Sequence, residues 1–236
     1  PAAGGGRAGR SVAVKPASVA ARLPWHGRKG AWAYDKSMTV GASEGQPRAP
    51  RSDPRTAAEQ KAELRVRLRA ARAARPRRER ADEARTVRAL AACAGAQVVA
   101  AYVSVPGEPD TWDLIEQLRL AEVPVLLPVL SREPDWAWYS GPEGLQPGPR
   151  GIPRPSGPAL GAEALRLADW IWLPGLAGTQ DGHRLGTGGG WYDRALAWSS
   201  PTSRRGLLLF DDEVLPQVPV EAWDRDVHLL VTERRR

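Results

Sequence analysis

Residues 182–196 read G-H-R-L-G-T-G-G-G-W-Y-D-R-A-L and constrain the rest of the chain more than any other stretch. An unbroken apolar run, Trp170-Ile171-Trp172-Leu173, lies upstream and predicts a buried strand. A helical pattern follows, with Tyr192, Ala195 and Leu196 on one face. The order is therefore strand, long loop, glycine cluster, helix. Glycines let a backbone turn tightly and bring its N–H groups close to an anion. A helix start just beyond adds unpaired N–H donors and the positive end of its dipole. Arg184 can fork onto phosphate oxygens, and Asp193 is a hard oxygen ligand suited to Mg²⁺ shared with phosphates. The stretch reads as a cradle for a nucleoside triphosphate, although the glycines alone would also suit a flexible loop. It is not a Walker-type loop, because no Lys-Ser or Lys-Thr follows the last glycine. It is not a dinucleotide fingerprint either, because no early strand precedes it in a clear βαβ unit.

Upstream, Thr56 and Glu59 form a capping-box pattern that predicts a helix to about Arg75, with Leu64, Leu68 and Ala71 inward. Lys61 and Arg65 project from one face, one turn apart, as an ordinary solvated pair would. Pro76 begins a second predicted helix to about Ala92, with Val87, Leu90 and Ala91 inward. Residues 97–105 predict a buried strand, followed by a Pro-Gly turn, a helix from Thr111 and a second strand at 123–127. Strand, helix, strand in that order predicts a parallel pair. Glu108 falls in the loop at the carboxyl end of the first strand, where open α/β sheets bind ligands, and would otherwise be a solvated acid. Short strands are expected at 136–140 and 227–231, a short helix near 163–167, and a buried strand in R-R-G-L-L-L-F. The fold class is α/β: an open three-layer α/β/α domain over residues 56–236 with a mixed, largely parallel sheet.

The glycine stretch and its Pro-Gly-Leu approach at Pro174, Gly175 and Leu176 closely resemble the signature loop of the 5-formyltetrahydrofolate cyclo-ligases, also called methenyltetrahydrofolate synthetases. The resemblance runs from about Ala57 to Glu233. K-A-E-L-R is similar to that family's N-terminal K-x-x-x-R, which implies nucleotide-phosphate contacts for Lys61 and Arg65. S-V-P-G-E-P-D-T resembles the loop in which a Glu contacts the reduced folate, which implies that role for Glu108. G-I-P-R-P at residues 151–155 is similar to a segment lining the folate side, with Arg154 where the family often has an acid or Gln. V-P-V-E-A-W-D resembles the closing segment, which implies Mg²⁺ binding by Asp224 together with Asp193. The family often has an Asp where this chain has His228, so Asp226 is the alternative ligand. The resemblance further implies ATP and Mg²⁺ as requirements, with Arg184 and Glu108 as catalytic residues. ATP would lie against Lys61, Arg65, Arg184, Gly186, Thr187, Gly188, Gly189, Gly190, Trp191 and Tyr192, with Trp191 and Tyr192 also near the folate.

Charge and composition bear on the rival functions. The net charge is +7, and residues 1–55 carry all of that excess, with ten Lys and Arg against three Asp and Glu. That Gly-, Ala-, Pro- and Arg-rich segment is expected to be a disordered extension. Its acid-poor start is similar to a transit peptide but forms no convincing amphipathic helix. No apolar run approaches the roughly 20 residues of a membrane span. Cys93 is the single cysteine, which excludes an internal disulfide and a thiolate metal cluster. Expected partners are small molecules, a reduced folate and ATP, with no nucleic acid or membrane; the chain is expected to be a cytoplasmic monomer. An RNA-associated protein on the same fold and a phosphosugar isomerase or acyl-transfer enzyme are the rivals. Neither requires Lys61, Arg65 and Glu108 together.

Overall fold

The computed structural model describes residues 55–76 and 79–235. The extension expected at residues 1–55 lies outside the described residues except for Arg55. Helix α1, Ala57–Ala73, begins as its sequence predicts: Thr56 Oγ1 accepts from the Glu59 N–H at 3.3 Å, and Glu59 returns the bond to the Thr56 N–H at 2.8 Å. Helix α2 is Glu79–Ala92 and helix α3 is Trp112–Leu120.

The strands are β1 (Val99–Ala100), β2 (Val125–Pro128), β3 (Trp136–Trp138), β4 (Leu145–Gln146), β5 (Arg154–Pro155), β6 (Trp170–Leu173), β7 (Ala177–Gly178), β8 (Arg184–Leu185), β9 (Arg204–Leu208) and β10 (Leu229–Val231). Six of them form one sheet in the order β10-β9-β6-β1-β2-β3, parallel throughout except for β3 against β2. Alternation along β6 sends Trp170 and Trp172 to one face and Ile171 and Leu173 to the other. On the first face they meet Ala89 and Cys93 beside Leu114, Ile115 and Leu118 of α3; on the second they meet Ala164, Leu165, Ala195 and Leu196. Both faces are thus covered, as a mainly parallel sheet requires, and the three-layer α/β/α expectation holds.

The path of the chain creates the crevice. From the central β1 it steps to β2 and β3 on one side, whereas β6 is followed by β9 and β10 on the other. The order therefore reverses between β1 and β6, and loops leaving their carboxyl ends diverge there.

Several local expectations change. The first strand has a two-residue ladder rather than nine, because side chains take over beyond Ala100: Thr111 Oγ1 donates to the Tyr102 carbonyl at 2.8 Å and accepts from the Ser104 N–H at 3.1 Å. Helix α2 turns Arg85, Thr86 and Ala89 inward, while Val87 is exposed. Arg85 is tolerated there because its guanidinium donates to Asp82, Glu233 and the Leu209 carbonyl and lies over the Phe210 ring. Ala71 of α1 is exposed, and the buried positions are Lys61, Leu68 and Arg72. The 162–167 segment is a 3₁₀ helix. Between β6 and the glycine cluster the chain forms an antiparallel hairpin, β7–β8, which no apolar alternation announced.

Candidate active site

Hairpin β7–β8 sets Arg184 beneath the glycine loop. Arg184 is 7% exposed, donating to the Pro174 carbonyl at 3.1 Å and to Asp193 Oδ1 at 2.5 Å. Asp193 reaches it from helix α4, Trp191–Ala195, which starts directly after Gly190. Gly188 and Gly190 adopt φ values of 105° and 62°, the left-handed region that side chains resist, so the loop can turn into the helix within three residues. A Cβ on Gly188 would also meet the Arg65 guanidinium at 3.4 Å.

Helix α1 closes over this loop with its charged face. Arg65 donates through Nε to the Gly186 carbonyl at 2.9 Å, using one of five guanidinium N–H groups. Arg69 donates to the Thr187 carbonyl at 2.6 Å and Arg194 to that of Gly189 at 3.3 Å. Lys61, 3% exposed, reaches Glu221 at 2.6 Å and Asp224 at 2.5 Å. The turn holding those acids is closed twice, by Asp224 N–H to the Glu221 carbonyl at 3.0 Å and Glu221 N–H to Asp224 Oδ2 at 2.7 Å. From the opposite wall, Glu108 accepts from the Val105 N–H at 3.2 Å. Burial pushes its carboxyl above the ordinary 4.5, against the opposing pull of that N–H and of Arg72. Burial likewise raises the phenols of Tyr102 and Tyr192, and the charge of Glu108 adds to both shifts.

One crevice of about 650 Å³ contains every expected site residue. Lys61 and Arg65 line it from α1, Glu108 from the loop after β1, and Arg184 from β8. Gly186, Thr187, Gly188, Gly189 and Gly190 form its floor, with Trp191, Tyr192 and Asp193 from α4 and Asp224 from the closing turn. Asp226 is not among the lining residues; it pairs with His183 at 3.0 Å. Arg154 of the G-I-P-R-P stretch also stays outside, whereas Ile152 and Arg150 line the crevice. A second cavity of about 680 Å³ lies across the 105–108 loop, lined by Arg72, Arg75 and Phe210, and shares Glu108.

Two buried donors in the main crevice, Arg184 Nε and Trp191 Nε1, have no hydrogen-bond partner. Both atoms are closed off from solvent, as are the unpartnered Nε1 atoms of Trp136, Trp170 and Trp172, which do not line the crevice. For Mg²⁺, Asp193 and Asp224 supply oxygen donors in the same crevice. Among the described residues no group of three or more His, Cys, Asp or Glu could hold a metal ion. Mg²⁺ commonly takes one or two carboxylates and completes its shell with phosphate oxygens and water, so the two aspartates fit.

Arg69, Arg194, and Glu221 and Trp223 of V-P-V-E-A-W-D also meet the crevice or its loop, although the sequence alone assigned them no role. Arg69 and Arg194 were hidden among many arginines, and Glu221 and Trp223 belong to no periodic pattern that would mark them.

An open, mainly parallel α/β sheet with a cationic, glycine-floored crevice at its switch point puts the chain in the doubly wound α/β class, in which ligands bind at such a crevice. The chain belongs to the 5-formyltetrahydrofolate cyclo-ligase family, a family of ligases, whose model matches residues 57–233. A 5-formyltetrahydrofolate cyclo-ligase of Mycolicibacterium smegmatis is 33% identical over 146 residues, covering 59% of this chain and 75% of the relative. One of Escherichia coli K12 is 32% identical over 144 residues, covering 58% and 78%. Among solved structures, the 5,10-methenyltetrahydrofolate synthetase of Aquifex aeolicus superposes with a TM-score of 0.64 at 30% identity, covering 74% of this chain and 90% of that one. The synthetase of Mycoplasma pneumoniae, at 18% identity and TM-score 0.58, covers 73% and 98% and supports the fold alone.

Proposed function

We propose that the chain converts 5-formyltetrahydrofolate to 5,10-methenyltetrahydrofolate, consuming ATP and releasing ADP and phosphate. The observation carrying this reading is the single crevice in which Lys61, Arg65, Arg184 and the glycine loop face Glu108. The family match supports the folate substrate.

A formamide carbonyl is a poor electrophile, and its oxygen is a poor leaving group. In the proposed reaction the formyl oxygen attacks the terminal phosphorus of ATP, and ADP departs. The product is an imidate phosphate on the folate. The neighbouring N10 then attacks the formyl carbon, loses its proton, and the C–O bond breaks to release phosphate. Such transfer needs positioning and charge neutralisation more than a covalent group on the protein. Lys61, Arg65 and Arg184 would neutralise the phosphate oxygens while the backbone of residues 187–191 cradles them. Glu108 would orient the folate near its formyl group, with Trp191 and Tyr192 walling that side. Asp193 and Asp224 would hold Mg²⁺, whose charge, when bound, offsets that of the phosphates. Asp193 pairs with Arg184, and Asp224 with Lys61. Each acid that would hold Mg²⁺ thus lies beside a cation that would meet phosphate.

The test is absorbance at the longer wavelength of the conjugated methenyl product. Turnover requiring 5-formyltetrahydrofolate, ATP and Mg²⁺ is expected. Absence of turnover in a folded, ATP-binding protein would overturn the folate assignment.

A further inference from the structure

We infer that Trp223 is a stacking platform for the purine base of the nucleotide, an inference that rests on the nucleotide reading above. Trp223 is 66% exposed, although tryptophan has one of the largest apolar surfaces to hide. It lines the main crevice, beside Lys61 and Arg225. Its backbone is held firmly all the same. The turn is closed by the two bonds between Glu221 and Asp224, and Lys61 ties both of their carboxylates to α1. The turn that carries the indole is therefore anchored, and the ring stands exposed where it lines the crevice proposed to bind phosphates.

Position along α1 supports a base at this end. Ala58, Lys61 and Arg65 all line the crevice from one helix face. Seven residues of helix span about 10 Å, so these side chains form a track rather than a point. Lys61 and Arg65 occupy the phosphate portion of that track and lead toward the glycine loop. Ala58, one turn before Lys61, offers only a methyl group and leaves room beside the cations. A planar base attached to phosphates on that track would cover the Trp223 ring. Stacking on an indole needs no hydrogen-bond pattern, because every base has a π face.

The test compares ATP with inorganic tripolyphosphate, which has the phosphates but no base. Titrations would use the full chain, its Trp223→Ala variant and its Trp223→Phe variant. Trp223→Ala should weaken ATP binding on the order of tenfold while tripolyphosphate binding holds steady, and Trp223→Phe should recover most of the loss. Because the side chain is exposed, the variants should keep the parent melting temperature. Equal weakening toward both ligands would assign Trp223 to the integrity of the turn and overturn the inference. So would ATP binding indifferent to Trp223→Ala, with the nucleotide reading left standing. Failure of the parent chain to bind ATP at all would overturn both.

Discussion

Glu108 and Asp193 are both carboxylates in the crevice, yet their surroundings predict different responses to neutralisation. Burial raises the pKa of Glu108, so the folded state holds its proton to higher pH than the unfolded state does. Between the ordinary 4.5 and the raised value the native state binds more protons, and stability falls as pH rises. Glu108→Gln should therefore raise the melting temperature at neutral pH, with the gain vanishing below pH 4.5, while turnover falls. Thermal melts of both proteins across that range check it; a gain independent of pH would point to packing instead. Asp193 lies 2.5 Å from Arg184, so Asn can still accept that hydrogen bond. Asp193→Asn should keep the fold and reduce Mg²⁺-dependent turnover by at least the about 10- to 100-fold lost when a supporting partner of a metal ligand is removed. Near-normal activity at limiting Mg²⁺ would remove Asp193 from the site.

At the scale of elements, α1 and α2 are held by opposite means. Helix α1 packs Leu68 and Leu64 against Leu176, Leu185 and Val218, and its other contacts are charged or polar. Lys61 meets Glu221 and Asp224, Arg72 meets Glu213 at 2.7 Å, and Arg65 and Arg69 grip loop carbonyls. Lys61 and Arg72 are 3% and 7% exposed, and ion pairs so buried are little screened by salt. Amide exchange of residues 57–73 should therefore change little as salt rises but accelerate in Lys61→Met, which leaves Glu221 and Asp224 without their cation; acceleration by salt alone would show that exposed charges hold α1. Helix α2 instead places Ala89 in the main core and buries Arg85 to 1% exposure. Arg85→Ala would strand Asp82 and Glu233 and uncover the Leu209 carbonyl. A loss of about 3 kcal/mol, the low end for a buried pair, is expected in denaturant melts, since Arg85 is buried but Asp82 and Glu233 are about one-fifth exposed and can be partly rehydrated.

For the whole molecule, charge and fold are divided along the chain. The described fold begins at Arg55, while the net positive charge belongs to residues 1–55. We propose that residues 1–55 are a separable extension. A chain beginning at Ser52 should retain the parent melting temperature and turnover, and should bind a cation exchanger less tightly. Loss of either property would make the removed residues part of the working enzyme. Among the described residues no helix is long and apolar enough to cross a membrane.

What the sequence determined by itself was local. The capping box at Thr56 and Glu59, the apolar run of β6 and the glycines before α4 act through bonds and clashes within a few residues, so a short window contains their cause. The parallel β1–β2 pair followed the same logic, because its connecting helix lies between its strands. The turn of the glycine loop into α4 was legible for that reason too. Only the tertiary structure decided which charges meet. Lys61 finds Glu221 and Asp224 about 160 residues away, and no spacing rule reaches that far. Asp224 rather than Asp226 lines the crevice because Asp226 turns to His183. The inward face of α2 was misread because periodicity counts Arg85 as polar, whereas its burial depends on acceptors brought from both ends of the described fold. Propensity and hydrophobic pattern are short-range properties; a binding crevice at a sheet's switch point is made where distant loops converge, and chain topology alone sets that meeting.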